Sequence, residues 1–325
     1  MDKKKIFQTQ GIFLDLAVEA HDLLRGDAQR EVSGVVQEKT SFPHGSTTTI
    51  RIVNEQGEEL MGRPKGTYIT IESPELRKNN WEAHKNISQA FASSLRQLVA
   101  NFHLGPEDVT LLVGLGNWNA TPDALGPKVI GSVLVTRHLF HYAPDELSGG
   151  LRPVCAVAPG VLGITGIETA EIIKGIVEHV KPRLLIAIDA LAAGNVDRIA
   201  STIQLADTGI SPGSGIGNKR AGINQETMNI PVIAIGVPTV VNAITIAFEL
   251  FNQTLQNNQQ LANFLQEDTI NQTVHQVLGS FGGNLTVTPK EIDELINNTA
   301  RVIASGINQS LHVAINPGDY AMYLH

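Results

Sequence analysis

Leu184-Leu185-Ile186-Ala187-Ile188-Asp189 is an unbroken apolar run closed by a carboxylate, with Ala190-Leu191-Ala192-Ala193 behind it. Continuous apolar texture without polar alternation is what a strand covered on both faces of a parallel sheet requires. Residues 110–115, 154–158 and 232–235 read the same way, and 202–205 more weakly. Helical spacing is expected over 123–140, 167–180 and 239–255. Strands that alternate with helices predict an α/β fold with a mainly parallel twisted sheet flanked by helices.

Working outward, the N-terminal third has a different texture. Residues 47–53 and 67–71 are β-branched and alternate, with Gly57, Gly62 and Pro74 near their ends, and so predict additional antiparallel strands. Residues 15–25 are loosely helical and 31–39 β-like. Ile87, Phe91, Leu95 and Leu98 recur at helical spacing and predict one long amphipathic helix over 81–104. Residues 252–276 are rich in Asn and Gln. Thr288-Pro289-Lys290-Glu291 then predicts a helix start, with threonine as the N-cap and proline in the first turn, for a helix reaching about residue 311.

The 325 residues carry 42% hydrophobic and 17% charged side chains, enough for a folded core and far from a disordered composition. Twenty-four basic against 32 acidic residues give a net charge of -8, the wrong sign for a protein that grips phosphate backbones, so no direct nucleic-acid partner is expected. The single cysteine, Cys155, has no intrachain disulfide partner and lies in an apolar run, where a strand thiol is the plainer reading than a nucleophile. The basic start Lys3-Lys4-Lys5 is followed by Gln8, Thr9 and Gln10, which interrupt the apolar core of an export signal. With no stretch approaching the roughly 18 apolar residues of a membrane span, a cytoplasmic protein without membrane contact is expected.

Several motifs are weighed and set aside. Gly114-Leu115-Gly116 follows a strand as a dinucleotide loop would, but Asn119 stands at the third glycine position. The glycine-rich run 212–220 lacks the spacing of a phosphate loop, and Pro212 spoils a serine-nucleophile elbow around Ser214. His138 and His141 lie three apart on the predicted helix, where a solvated face is the plainer reading than a metal pair. Asp207-Thr208-Gly209 is the tripeptide of pepsin-like proteases, yet it occurs once, within α/β alternation, and reads as a strand end.

Two aspartates are better placed. Asp123 opens the helix predicted after the 110–115 strand, and Asp189 ends the 184–188 strand. Ligands of open α/β sheets sit outside the carboxyl ends of the strands. If these strands are neighbours, both acids face one crevice, where repulsion and desolvation let the pair share a proton: one activates water and the other donates. Helix capping by Asp123 and a loop hydrogen bond at Asp189 are the structural alternative, of equal weight on the pattern alone. A small-molecule or metal-binding α/β module using the same crevice without hydrolysis is the rival from another class.

Val113-Gly114-Leu115-Gly116-Asn117, Thr121-Pro122-Asp123-Ala124-Leu125-Gly126-Pro127-Lys128, Thr165-Gly166-Ile167-Glu168-Thr169, Ile188-Asp189-Ala190-Leu191-Ala192-Ala193 and Asn284-Leu285-Thr286-Val287-Thr288-Pro289-Lys290-Glu291, with Asp15-Leu16-Ala17-Val18-Glu19-Ala20, resemble the germination protease family of spore-forming bacteria along nearly the whole chain. The resemblance implies an endopeptidase, made as a zymogen, that starts the degradation of small acid-soluble spore proteins during germination in the spore core. It implies a homotetramer, a fold related to the hydrogenase-maturation proteases, and an unusual aspartic-type mechanism whose two acids correspond to Asp123 and Asp189. No cofactor is implied for catalysis. Because the maturation relatives recognise a nickel ion in their substrate, a metal-dependent peptidase is kept as a second reading. Self-cleavage before Leu-Ala-Val-Glu-Ala in the family points to the Asp15–Leu16 bond, so residues 1–15 are expected to be a propeptide. Residues 16–325 then form one peptidase domain, an elaboration over 16–105 and an α/β core over 106–325. The chain departs from the family pattern at Phe13-Leu14, where Arg-Thr is usual, and is short between residues 255 and 274.

Overall fold

The computed structural model describes residues 14–26, 31–142, 151–211, 221–257, 267–278 and 285–313. These contribute nine strands to one mixed sheet of order β1-β2-β3-β7-β8-β6-β4-β5, with β9 paired to β8. After α1 (Ala17–Arg25) come β1 (Val35–Phe42), β2 (Gly45–Ile52), a short α2 (Glu55–Met61), β3 (Gly66–Glu72) and α3 (Trp81–Ala100). Then β4 (Thr110–Gly114), α4 (Leu125–Ile130), α5 (Arg137–Tyr142), β5 (Val154–Val157), α6 (Leu162–Thr165) and α7 (Thr169–Val180) follow. The chain continues through β6 (Leu184–Ala193), β7 (Thr202–Ala206), α8 (Gln225–Met228), β8 (Val232–Asn242), α9 (Ala243–Asn257), α10 (Glu267–Leu278), β9 (Thr286–Val287) and α11 (Ile292–Leu311).

The parallel part comprises β5, β4, β6 and β8. The N-terminal antiparallel strands join the same sheet because β7 pairs antiparallel with both β3 and β8. Apolar residues on the two faces explain the layers. Leu184, Ile186 and Ile188 of β6 pack with Ile203, Leu205, Ile233 and Ile235 beneath α3 and α11. Leu185 and Ala187, on the other face, meet Ile173 and Val177 of α7. Farther along that second face, Leu16, Ala17 and Val18 cover Ile50, Tyr68, Leu191 and Ala206.

Four local expectations are corrected. The helix read over 123–140 is instead a 3-10 turn (Thr121–Asp123), α4 and α5, because the helix stops at Gly131 and the next segment is tied across the molecule: the buried Leu134 N–H donates to Asn308 Oδ1 at 2.9 Å. Asp189 lies inside β6 rather than at its end, since pairing with β8 continues to Ala193↔Val241. Residues 239–242, read as helix, extend β8 by the same pairing. Thr288 does not cap α11; its hydroxyl donates to the Thr239 carbonyl at 2.9 Å, and Glu291 stands at the N-cap. Among the described residues no helix is long and apolar enough to cross a membrane.

Candidate active site

The site grows from the carboxyl end of β4 and from the stretch of β6 that runs on beyond it, in two directly paired parallel strands. Every residue of β4 is buried, and the chain leaves it through Leu115 and Gly116. Gly116 has φ +114°, and a Cβ there would run into the Asp123 carbonyl. That carbonyl accepts the Asn117 N–H at 3.0 Å, while Asn117 Oδ1 accepts the Asn119 N–H at 2.9 Å, closing a tight loop. Gly126 also lies close to β6, because a Cβ there would sit 2.6 Å from the Ile188 carbonyl. Asp123 is therefore brought over the end of β4 and the neighbouring stretch of β6 by positions that exclude side chains. The glycines that mimic a dinucleotide loop serve this close approach.

Asp189 is 6% exposed, and its Oδ1 accepts the N–H of Ala190 at 2.9 Å. It shares a sheet face with Leu185, Ala187 and Leu191, as the two-residue period of a strand dictates. Beyond it the β6–β8 register shifts between Leu191 and Ala192. At this irregularity the Ala192 N–H donates to Asp15 Oδ2 at 2.9 Å. Asp15, Asp123 and Asp189 consequently line one cavity of about 370 Å³, with Ala120, Pro122, Ser211 and Thr239 among its other walls. The two acids singled out in the sequence thus line the same cavity, and so does the residue preceding the expected cleavage bond.

The chain around that bond is anchored. Arg63 Nη2 donates to the Leu14 carbonyl. The Gln204 amide donates to the Asp15 carbonyl at 3.1 Å and accepts the Ala17 N–H at 2.6 Å. Leu16 and Ala17 are fully buried. One turn later the Glu19 carboxylate accepts the Gly194 N–H at 3.0 Å and pairs with Arg198, which also reaches Glu72 at 2.6 Å and Asp22 at 3.4 Å. Sequence reasoning missed Arg63, Gln204 and Ala192. The signal available was a lone glutamine inside Thr202-Ile203-Gln204-Leu205-Ala206, a strand buried throughout; a polar side chain retained at such a position needs partners.

Other sequence candidates do not join the cavity. Asp207 follows β7 directly, and its Oδ1 accepts the Thr67 N–H at 2.7 Å, as a strand-end role demands; burial raises its pKa above the ordinary carboxylate value. Cys155 is half-buried in β5, and desolvation pushes its thiol pKa up, which disfavours the nucleophilic thiolate. His138 and His141 are exposed on α5. Among the described residues no cluster of three or more His, Cys, Asp or Glu side chains is arranged to hold a metal ion. The glycine-rich run 212–220, Ser214 included, lies outside the described residues.

A sequence profile of the germination proteases matches residues 15–259 and 251–324. The chain belongs to the germination protease family. The germination protease of Clostridium acetobutylicum is 43% identical over 96% of this chain and 98% of its own length. That of Clostridium perfringens is 46% identical over 91% of this chain and 94% of its own. The Bacillus subtilis germination protease is 40% identical, with 96% of each chain covered. The protein is accordingly a protease, a hydrolase associated with spore germination, and the cavity described above is the candidate active site of a germination protease.

Proposed function

We propose that this germination protease is an endopeptidase that cuts small acid-soluble spore proteins in the spore core by an aspartic-type mechanism, with Asp123 and Asp189 as the acid pair. The observation that supports it is the cavity the two aspartates share, Asp123 from the turn beyond β4 and Asp189 from within the paired strand β6. A water in that cavity loses a proton to one carboxylate as its oxygen adds to the peptide carbonyl carbon. The partner, protonated, delivers its proton to the departing nitrogen, and the C–N bond breaks. Both roles require the acids to differ in protonation, which two carboxylates within one small cavity favour.

The same reading makes the chain a zymogen whose residues 1–15 are removed by self-cleavage at Asp15–Leu16. Its support is the Asp15 carboxylate lining the same cavity. The self-processed form is proposed to act as a homotetramer, checked by sedimentation of the purified chain.

The deciding experiment incubates purified protein with an unstructured, glutamate-containing spore protein. Asp123→Asn and Asp189→Asn should keep the circular dichroism and unfolding midpoint of the parent while losing at least about a hundred-fold in cleavage rate, the usual scale for removing a general acid or base. Parent-like turnover in either variant removes that residue from the mechanism. Prolonged chelation is expected to leave the rate unchanged; loss of activity restored by a divalent metal would favour the metallopeptidase instead.

A further inference from the structure

The pairing register places three residues in one row across the sheet: Asp189 of β6 stands opposite Gly236 of β8, and Gly236 opposite Gln204 of β7. Opposed residues direct their side chains to the same face. Asp189 and Gln204 therefore project to one side from Cα positions two strand spacings, about 10 Å, apart. Between them stands a residue without a side chain. Chain 14–17 crosses this face, with Leu16 packed against Leu191 and Ala206.

Gln204 is 8% exposed, and both ends of its amide are used on that chain. Nε2 donates to the carbonyl of Asp15, and Oε1 accepts the N–H of Ala17. The orientation follows from the partners, because a main-chain N–H needs an acceptor and a carbonyl needs a donor. A residue in a parallel strand bonds its neighbour in this way, to a carbonyl on one side and to the N–H two residues on. Gln204 thus acts as a one-residue parallel strand opposite Leu16. The carbonyl it holds belongs to the bond proposed above for self-cleavage.

We propose that Gln204 polarises the scissile carbonyl and fixes the chain on both sides of the bond, an electrophilic partner to the aspartate pair. The proposal rests on the self-cleavage reading. When water adds to the Asp15 carbonyl carbon, the carbonyl oxygen takes up the negative charge, and the Nε2–H already aimed at it stabilises that charge without reorganisation. Collapse breaks the C–N bond and returns the electron pair to carbon–oxygen bonding. The Leu16 nitrogen leaves with the proton from the aspartate pair, and Asp15 gains a new α-carboxylate. The Ala192 N–H on the Asp15 side chain and Arg63 on the Leu14 carbonyl hold the segment upstream of the bond. A substrate chain entering in the same register would meet the same four contacts.

Two substitutions separate polarisation from simple anchoring. Gln204→Glu keeps the shape and an acceptor for the Ala17 N–H but removes the donor at the Asp15 carbonyl; Gln204→Leu removes both. Self-cleavage of the full chain is followed by mass spectrometry of the new Leu16 terminus. Hydrogen exchange at the Ala17 amide is read in the Asp189→Asn background, which keeps the chain whole. The expected result is a loss of about a hundred- to a thousand-fold in rate for Gln204→Glu, the scale of one oxyanion donor, with the Ala17 amide still protected. Gln204→Leu should lose both rate and protection. Cleavage by Gln204→Glu within about five-fold of the parent, or a loss of rate accompanied by loss of Ala17 protection, would overturn the polarising role while leaving self-cleavage intact. A parent chain that never cuts Asp15–Leu16 would overturn both.

Discussion

At Gly116 a backbone angle of φ +114° and the Asp123 carbonyl leave no room for a side chain. Residues other than glycine resist this region, and holding one there costs about 1–3 kcal/mol. Gly116→Ala should therefore lower stability by at least that scale in urea unfolding. It should also reduce proteolysis beyond what the lost stability explains, because the Asp123 turn must move to admit the methyl group. Asp207 gives the opposite case. Its raised pKa comes mainly from burial, so the charged form is disfavoured in the folded protein, while the hydrogen bond from Thr67 works the other way. Asn at this position keeps an acceptor for Thr67 and carries no charge. Asp207→Asn is expected to match or exceed the parent in stability at pH 7, and a clear loss in the same titration would contradict this account.

Periodicity over residues 81–104 predicts one long helix, and α3 spans Trp81–Ala100 with Asn80 capping it through the Ala83 N–H at 3.2 Å. The pattern succeeds because Ile87, Phe91, Leu95 and Leu98 form a single stripe facing the sheet and α11. Gly306 of α11 sits where a side chain would meet the Phe91 ring, so the helices cross closely at that point. Phe91 is fully buried there. Phe91→Ala should cost about 3–5 kcal/mol, the range for emptying an aromatic site in a packed core, measured as a shift of the urea midpoint. Strand lengths were less legible. The apolar runs stop at Asp189 in β6 and at Gly236 in β8, yet the ladder continues to Ala193 and Asn242 because each strand supplies the other's hydrogen bonds. Helix α2 went unread, although Asn54 caps it by accepting the Gly57 N–H at 2.9 Å.

On the scale of the whole molecule, one sheet carries both the antiparallel N-terminal strands and the parallel strands that hold the acids. The Arg198 links to Glu19, Asp22 and Glu72 tie α1 and β3 to the turn after β6, so the segment entering the cavity is fixed to the sheet. Global stability should also depend on His312, which ends α11 and is 1% exposed. Its Nδ1 accepts the Arg152 N–H at 3.4 Å, and desolvation is the main cause that lowers its pKa from 6.5 to about 4. A folded value below the unfolded one means that the unfolded chain binds the proton first as pH falls. Stability from the neutral ring is therefore complete above about pH 6.5 and declines as pH falls toward about 4, by at most about 3 kcal/mol. His21, lowered chiefly by burial, acts in the same direction. His312→Gln should show a smaller loss of stability than the parent between pH 7 and pH 5, measured by urea unfolding at each pH.

Composition, apolar runs and their periods by themselves determined the α/β class, the antiparallel additions near the N-terminus, the long amphipathic helix, and Asp123 and Asp189 as the acids to follow. Those features are local, since a strand covered on both faces or a helix with one apolar stripe must be written in consecutive residues. Which strands became neighbours, and so whether the two acids shared a cavity, depended on hydrogen bonding between segments far apart in the chain. The same holds for Gln204, which stands 189 positions from the Asp15 carbonyl it holds. No local period encodes that contact; it exists because β7 and β6 flank β8 in register, and that register is decided only when the sheet assembles.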